Sequence, residues 1–304
     1  MGEYVLETNN LTKIYSRNKA VNNLSLKIRK GDIYGFIGKN GAGKTTAIKL
    51  IVGLARPTEG DIKLFGESDV AAGRKKIGVV IENPAYYPFM SAKQNLEVQR
   101  IMKGVNDPKV TEEILNIVGL KDVGNKKVKN FSLGMKQRLG IGLALVGDPE
   151  FLLLDEPING LDPTGIKEVR DLILKLNKEA GITVLISSHI LGELSKMCNS
   201  YGVINNGELV AQVTREELEE TVKPSIELVV NNPEKAVSVF KEELGIETIE
   251  VSGNELYVYG ANDRFADITA CLERNDIILQ SISKQHVDYE DYFINLMEGE
   301  KVNG

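Results

Sequence analysis

The run Gly38-Lys39-Asn40-Gly41-Ala42-Gly43-Lys44-Thr45-Thr46 constrains this chain more than any other segment. It matches the pattern G-x-x-x-x-G-K-[ST] at Gly38, Gly43, Lys44 and Thr45, a pattern that needs a strand before it and a helix after it. Both are readable. Ile33-Tyr34-Gly35-Phe36-Ile37 has the composition of a buried strand, and Ala47 to Leu54 reads as the helix behind the loop, beginning near Lys44. Three glycines let the backbone curl with its N–H groups inward, and the helix aims its positive end at the same point, so phosphate oxygens are the expected occupants. Lys44 is expected to reach the β- and γ-phosphates of a nucleotide and Thr45 a magnesium ion; Gly38, Asn40, Gly41, Ala42, Gly43 and Thr46 complete the cradle. The glycines do not run in the G-x-G-x-x-G order of a dinucleotide fold.

A chain of 304 residues with 42% hydrophobic residues can bury a sizeable core and has room for roughly two domains. Its longest apolar stretch, Leu139 to Gly147, is closed by Asp148 and falls short of the roughly 20 residues of a membrane span. The start, MGEYVLETNN, lacks the basic and apolar regions of a signal peptide, so a cytoplasmic location is expected. Cys198 and Cys271 have no metal or redox spacing and agree with a reducing compartment. A net charge of −6 weighs against a general nucleic-acid binder while leaving room for local basic patches.

Along the first half, Asp61 to Phe65 and Ile77 to Ile81 read as strands, and Ala92 to Lys103 and Thr111 to Val118 as helices. A helix after Phe131 to Val146, a strand Phe151 to Leu154, a helix Gly165 to Glu179 and a strand Ile182 to Ser187 then follow, as in a parallel α/β sheet. Asn206-Gly207 is a two-residue turn between strands Gly202 to Asn205 and Glu208 to Val213. After Lys223-Pro224 the order changes to βαββαβ, which fits a ferredoxin-like module closed by an amphipathic helix from Val287 to Met297.

Two further segments carry chemistry. Phe151-Leu152-Leu153-Leu154-Asp155-Glu156-Pro157 sets two carboxylates at the end of an apolar strand, the edge at which a doubly wound sheet meets its ligands. Asp155 is read as holding magnesium, directly or through water, and Glu156 as polarising the attacking water; the plainer alternative is an acidic pair that caps the next segment. Ser132 to Arg138, SLGMKQR, opens a helix with a hydroxyl, the glycine Gly134 and free N–H groups that suit an anion, although a serine there is also an ordinary N-cap.

With the phosphate loop, SLGMKQR and LLLDEP in this order, the sequence resembles the ATP-binding cassette (ABC) ATPases from residue 3 to about 220. The resemblance implies an α/β P-loop NTPase of the ABC type, with a RecA-like core in residues 1–222, a helical subdomain at about 84–148 and an accessory domain in 225–304. It also implies roles for single residues. Tyr15 looks like the aromatic that stacks on adenine, or else a core tyrosine. His189 looks like the switch histidine that contacts the γ-phosphate, or else a surface histidine. Asn159-Gly160-Leu161-Asp162 looks like the loop through which two cassettes communicate, and equally like a turn before a helix starting near Pro163.

Two departures from the family stand out. Phe131-Ser132-Leu133-Gly134-Met135 replaces the usual LSGGQ, keeping the serine and the second glycine. Glu82 replaces the glutamine that touches magnesium and couples to the membrane subunit, so it joins the expected metal and catalytic set, unless it is neutral drift. Both departures resemble the bacitracin-resistance and lantibiotic-immunity exporter ATPases, and the segment Tyr289 to Leu296 resembles drug-exporter tails. The resemblance implies ATP and Mg2+, a homodimer of cassettes and a separate transmembrane permease. It places the protein on the inner face of the cell membrane, with no direct nucleic-acid partner. A soluble ABC machine acting on nucleic acid or ribosomes lacks its coiled coils or tandem cassettes here, and a GTPase lacks its NKxD motif.

Overall fold

The computed structural model describes residues 3–82, 84–221, 225–261, 263–285 and 289–298. The chain opens with β1 (Tyr4–Tyr15), β2 (Asn18–Leu24) and β3 (Lys27–Arg29), ahead of β4 (Ile33–Ile37). No strand before Ile33 is legible from sequence. In β1 the buried positions are Val5, Leu6, Thr8, Leu11 and Thr12, and its register shifts against each partner strand, which breaks the two-residue alternation that marks a strand. β2, β3 and β5 (Glu59–Leu64) all pair antiparallel with β1.

The sheet that positions the chemistry is the second one. Between β4 and β5 lies α1 (Lys44–Ile51), and then follow α2 (Val70–Arg74), β6 (Ile77–Val80), α3 (Ala92–Met102), α4 (Lys109–Ile117), α5 (Leu133–Leu145) and β7 (Phe151–Asp155). After these come α6 (Pro163–Ala180), β8 (Thr183–Ser188), α7 (Leu191–Leu194), β9 (Ser200–Asn205) and β10 (Glu208–Thr214). Strands run in the order β10-β9-β4-β8-β7-β6, parallel except for β10. Every residue of β4, β7 and β8 is buried, as expected of parallel strands covered on both faces. Register then decides the site: Ile37 of β4 pairs with Ser188, and Asp155 of β7 pairs with Ser187. The loops that follow β4, β7 and β8 therefore emerge side by side.

Local sequence explains the helix ends. Ser91 and Gln94 form a reciprocal capping box at the start of α3, where Gln94 N donates to Ser91 Oγ at 3.2 Å and Ser91 N to Gln94 Oε1 at 2.9 Å. Asp162 caps α6 with Pro163 in its first turn, and Gly181 ends it in the left-handed conformation.

The chain forms two compact units. The first runs to Arg215 and takes up the chain again at Phe293; the second spans Glu216–Tyr292. The second unit follows α8 (Arg215–Thr221) with β11 (Ser225–Val230), α9 (Pro233–Leu244), β12 (Ile249–Ser252), β13 (Glu255–Tyr259), α10 (Phe265–Arg274) and β14 (Leu279–Gln285). Its sheet is wholly antiparallel, ordered β12-β13-β11-β14, and Ile226, Leu228, Phe240, Leu256, Val258 and Ile268 are in its core. The last helix, α11, is Tyr289–Glu298; Val287, where it is expected to start from sequence, lies outside the described residues. From Phe293 its described residues belong to the first unit. The Phe293 ring lies 5.3 Å from that of Tyr201, and Asn205 Nδ2 donates to the Met297 carbonyl at 2.7 Å. Phe293→Ala should therefore destabilise the first unit by about 3 kcal/mol in urea unfolding; an unchanged midpoint for that unit would show that the ring is not an anchor.

Candidate functional site

The loop between β4 and α1 is shaped by glycines in conformations that a side chain would strain. Gly41 and Gly43 have φ of 83° and 111°, and a Cβ on Gly43 would lie 2.5 Å from the Ala20 carbonyl oxygen. Gly207 N donates to the Ala42 carbonyl at 2.9 Å, and Asn22 N to the Gly207 carbonyl at 2.8 Å, so two neighbouring hairpins brace the loop. The result is a cleft of about 380 Å³ lined by residues 40–46 together with Asn18, Lys19, Ala20, Glu156, Asn206 and Gly207. α1 begins here with no side-chain cap and no acidic residue in its first turn. Its leading N–H groups and its positive end therefore suit an anion.

Behind the loop, Thr45 Oγ1 donates to Asp155 Oδ2 at 2.7 Å and Ser187 Oγ to Asp155 Oδ1 at 2.5 Å. Asp155 is 1% exposed, so these two hydroxyls satisfy a carboxylate that water barely reaches. At its edge, Lys44 Nζ donates to the Gly38 carbonyl at 2.6 Å and lies 3.2 Å from Glu156 Oε1. Glu156 Oε2 lies 2.9 Å from His189 Nδ1, a separation at which a protonated Nδ1 donates to the carboxylate. Glu156 has φ of 50°, and its N–H is shared between the Ser187 carbonyl at 3.1 Å and Ser187 Oγ at 3.0 Å. A non-glycine residue in this conformation is strained, and the bonds to β8 hold it there.

The residues singled out from sequence fall into three groups. Asn40, Gly41, Ala42, Gly43, Lys44, Thr45, Thr46 and Glu156 line the cleft, with Gly38, Asp155 and His189 bound directly to members of that set. Tyr15 is outside the lining, at the end of β1, where its strand partner is the lining residue Asn18 and Lys13 Nζ lies 5.0 Å from its ring centre. Ser132 and Gly134 are also outside it, at the start of α5, where Ser132 Oγ accepts from Met135 N at 3.2 Å as an N-cap. Glu82 is likewise outside the lining. It is exposed, has φ of 55°, and its Oε1 pairs with Lys49 Nζ at 3.1 Å.

Sequence reasoning missed Asn18, Lys19, Ala20 and Ser187. The first three sit on a hairpin with no motif, and a serine at the end of TVLISS reads only as strand until β7 is known to lie beside it. The oxygen set of Thr45 and Asp155 fits a hard cation such as Mg2+, which takes one or two carboxylates plus phosphate oxygens rather than a protein cage.

Comparison with known proteins agrees with this geometry. The family described as ABC transporter matches residues 21–159. An uncharacterized ABC transporter ATP-binding protein of Bacillus subtilis, YcbN, is 41% identical over 99% of this chain and 99% of its own. The bacitracin transport ATP-binding protein BcrA of Bacillus licheniformis is 39% identical over 97% of this chain and 98% of its own. The lantibiotic transport ATP-binding protein SrtF of Streptococcus pyogenes is 42% identical over 68% of this chain and 90% of its own. Among solved structures, the dimeric post-hydrolysis state of the ATP-binding cassette MJ0796 bound to ADP and Pi is 27% identical, with a TM-score of 0.63 over 69% of this chain and 98% of that one. The chain belongs to the ABC transporter ATP-binding proteins. It is the ATP-binding subunit of such a transporter, and its cassette hydrolyses ATP.

If the cleft holds the triphosphate, Lys44→Ala should weaken ATP binding by on the order of 100-fold in calorimetry, because a charged donor is lost. Unchanged affinity would mean that the nucleotide binds elsewhere.

Proposed function

We propose that this subunit powers the export of a peptide antibiotic of the bacitracin or lantibiotic type through a separate membrane permease. One observation carries the mechanism: Lys44, Glu156 and His189 meet at a cleft whose lining contains neither Ser132 nor Gly134. In this reading the site is completed by a second copy, whose Ser132 hydroxyl and Gly134 N–H meet the γ-phosphate from the other side. The cap bond to Met135 uses Ser132 Oγ as an acceptor and leaves its proton free to donate. Tyr15, on the hairpin beside Asn18, then stacks on the adenine.

The chemistry follows from the residues present. Glu156 takes a proton from water as the water oxygen bonds to the γ-phosphorus, and the bond from that phosphorus to the β–γ bridging oxygen breaks, leaving its electrons on ADP. His189 orients the carboxylate and water, and Lys44 balances charge on the β- and γ-oxygens. Thr45 and Asp155 would hold Mg2+, which supplies charge neutralisation on the phosphates. Loss of the γ-phosphate then removes the bridge between the two copies.

The cargo is read from the named relatives that transport bacitracin and a lantibiotic. No helix among the described residues is long and apolar enough to cross a membrane, so the pathway is assigned to the permease and this subunit to the inner membrane face. Glu82, exposed beside Lys49, is assigned to coupling with that permease. We read the cassette as residues 1–222 with its helical part at about 84–148, and the second unit as ferredoxin-like, a reading supported by its βαββαβ order and β12-β13-β11-β14 sheet.

Glu156→Gln should still bind ATP, hydrolyse it ~100-fold or more slowly and accumulate as a dimer on a sizing column. A variant that remains monomeric at saturating ATP would refute the two-copy site. For the cargo, cells carrying this gene and its permease should survive bacitracin or a lantibiotic better than cells lacking them. Glu82→Gln should reduce that protection with ATP affinity unchanged, and equal protection would remove Glu82 from coupling.

A further inference from the structure

Asn206 and Gly207 line the cleft, and both have positive φ, 49° and 83°, as the two-residue turn that closes the β9–β10 hairpin requires. Three bonds tie this turn to the cleft. Gly207 N donates to the Ala42 carbonyl of the phosphate loop at 2.9 Å, Asn22 N donates to the Gly207 carbonyl at 2.8 Å, and Asn22 Nδ2 donates to Glu208 Oε1. A fourth bond comes from the far end of the sequence. Asn205, the last residue of β9, donates from Nδ2 to the Met297 carbonyl at 2.7 Å, across 92 residues.

An asparagine in front of a turn commonly bonds its own backbone two residues on. Here its amide is committed to α11 instead. Met297 is in the last turn of that helix, where carbonyls have no intrahelical partner, so Asn205 caps the helix end and is itself held by it. The helix is seated by apolar contact on the same strand. Phe293 and Met297, four residues apart on α11, are both buried, and the Phe293 ring lies 5.3 Å from that of Tyr201, which shares a face of β9 with Asn205.

We propose that Asn205 is a positioning residue for nucleotide binding: its bond to the last turn of α11 holds the Asn206-Gly207 turn in place against the phosphate loop, so the final helix helps set how tightly the cleft takes its nucleotide. Asn205 is not in the cleft lining and acts through Gly207 and Ala42. A turn released from α11 has to be ordered again when the nucleotide binds, and that ordering cost weakens the affinity. The affinity part of the proposal rests on the reading that this cleft holds the nucleotide; the fastening of the turn does not.

The test compares full-length Asn205→Ala, which removes the amide and adds no charge, with Asn205→Gln, which keeps a donor on a longer arm. Amide exchange at Gly207 should be about tenfold faster in Asn205→Ala than in the parent, and the Kd for ADP with Mg2+, which needs no hydrolysis, should rise about fivefold in calorimetry. Asn205→Gln should recover most of both. In ATPase assays of Asn205→Ala, KM for ATP should rise while kcat does not fall, because Asn205 touches no reacting group. Unchanged Gly207 exchange in Asn205→Ala overturns the proposal, and so does faster exchange with parental ADP affinity in a protein whose ADP binding is lost on Lys44→Ala. Exchange that accelerates equally along β4, β8 and β9 also overturns it, since Asn205 would then be a fold stabiliser only. Should Lys44→Ala leave ADP binding intact, the reading of the cleft has failed, and the Gly207 exchange alone decides the fastening.

Discussion

Asp155 holds the nucleotide end of this molecule together. A carboxylate at the end of an all-apolar strand costs several kcal/mol to bury unless its oxygens are bonded. Here one oxygen takes the hydroxyl of Thr45, from the first turn of α1, and the other that of Ser187, from β8. Ser187 Oγ also accepts from the Glu156 N–H. One buried charge therefore fixes the phosphate loop, the strand end that carries Glu156 and the strand that delivers His189, three segments far apart in sequence. The parallel register places them in reach; the carboxylate makes any other arrangement expensive.

The second layer of the site is electrostatic. Lys44 is nearly buried and its ammonium meets two carbonyls, of Gly38 and Lys39, and the Glu156 carboxylate. An anion entering the cleft competes with Glu156 for that ammonium. His189 Nδ1 lies 2.9 Å from the opposite oxygen, Glu156 Oε2. The strained backbone at Glu156 fits this arrangement, since the side chain leaves the strand at an angle that a relaxed extended residue would not give.

The parallel core and its chemistry were legible because each is written in a local code. The phosphate loop carries its own glycines, LLLDEP announces a buried strand with acid at its tip, and Asp162-Pro163 and Gly181 punctuate α6. What could not be read is what depends on partners. The N-terminal antiparallel sheet hides behind the irregular register of β1. The Asn206-Gly207 turn is plain as a hairpin, whereas its bond to Ala42 in the phosphate loop follows from the neighbouring positions of β9 and β4. The side-chain partner of Glu82 was equally hidden: its Oε1 pairs with Lys49, one helical turn beyond Thr45. The tail divides for a similar reason, because the amphipathic pattern of α11 does not reveal that Phe293 finds Tyr201.

Two helix starts in the first unit have opposite chemistry, and the contrast bears on how many copies the reaction needs. α1 begins uncapped inside the cleft, so its leading N–H groups have no side-chain partner and gain most from a bound anion. α5 begins with Ser132 as its own cap, outside the lining, and is stable without a ligand. A helix start that is already satisfied yet still offers a hydroxyl proton is suited to meet an anion presented by another surface. One chain thus supplies a site that is hungry for phosphate and, elsewhere, a donor with no phosphate to serve. The two-copy site proposed above pairs each such donor with the other copy's cleft.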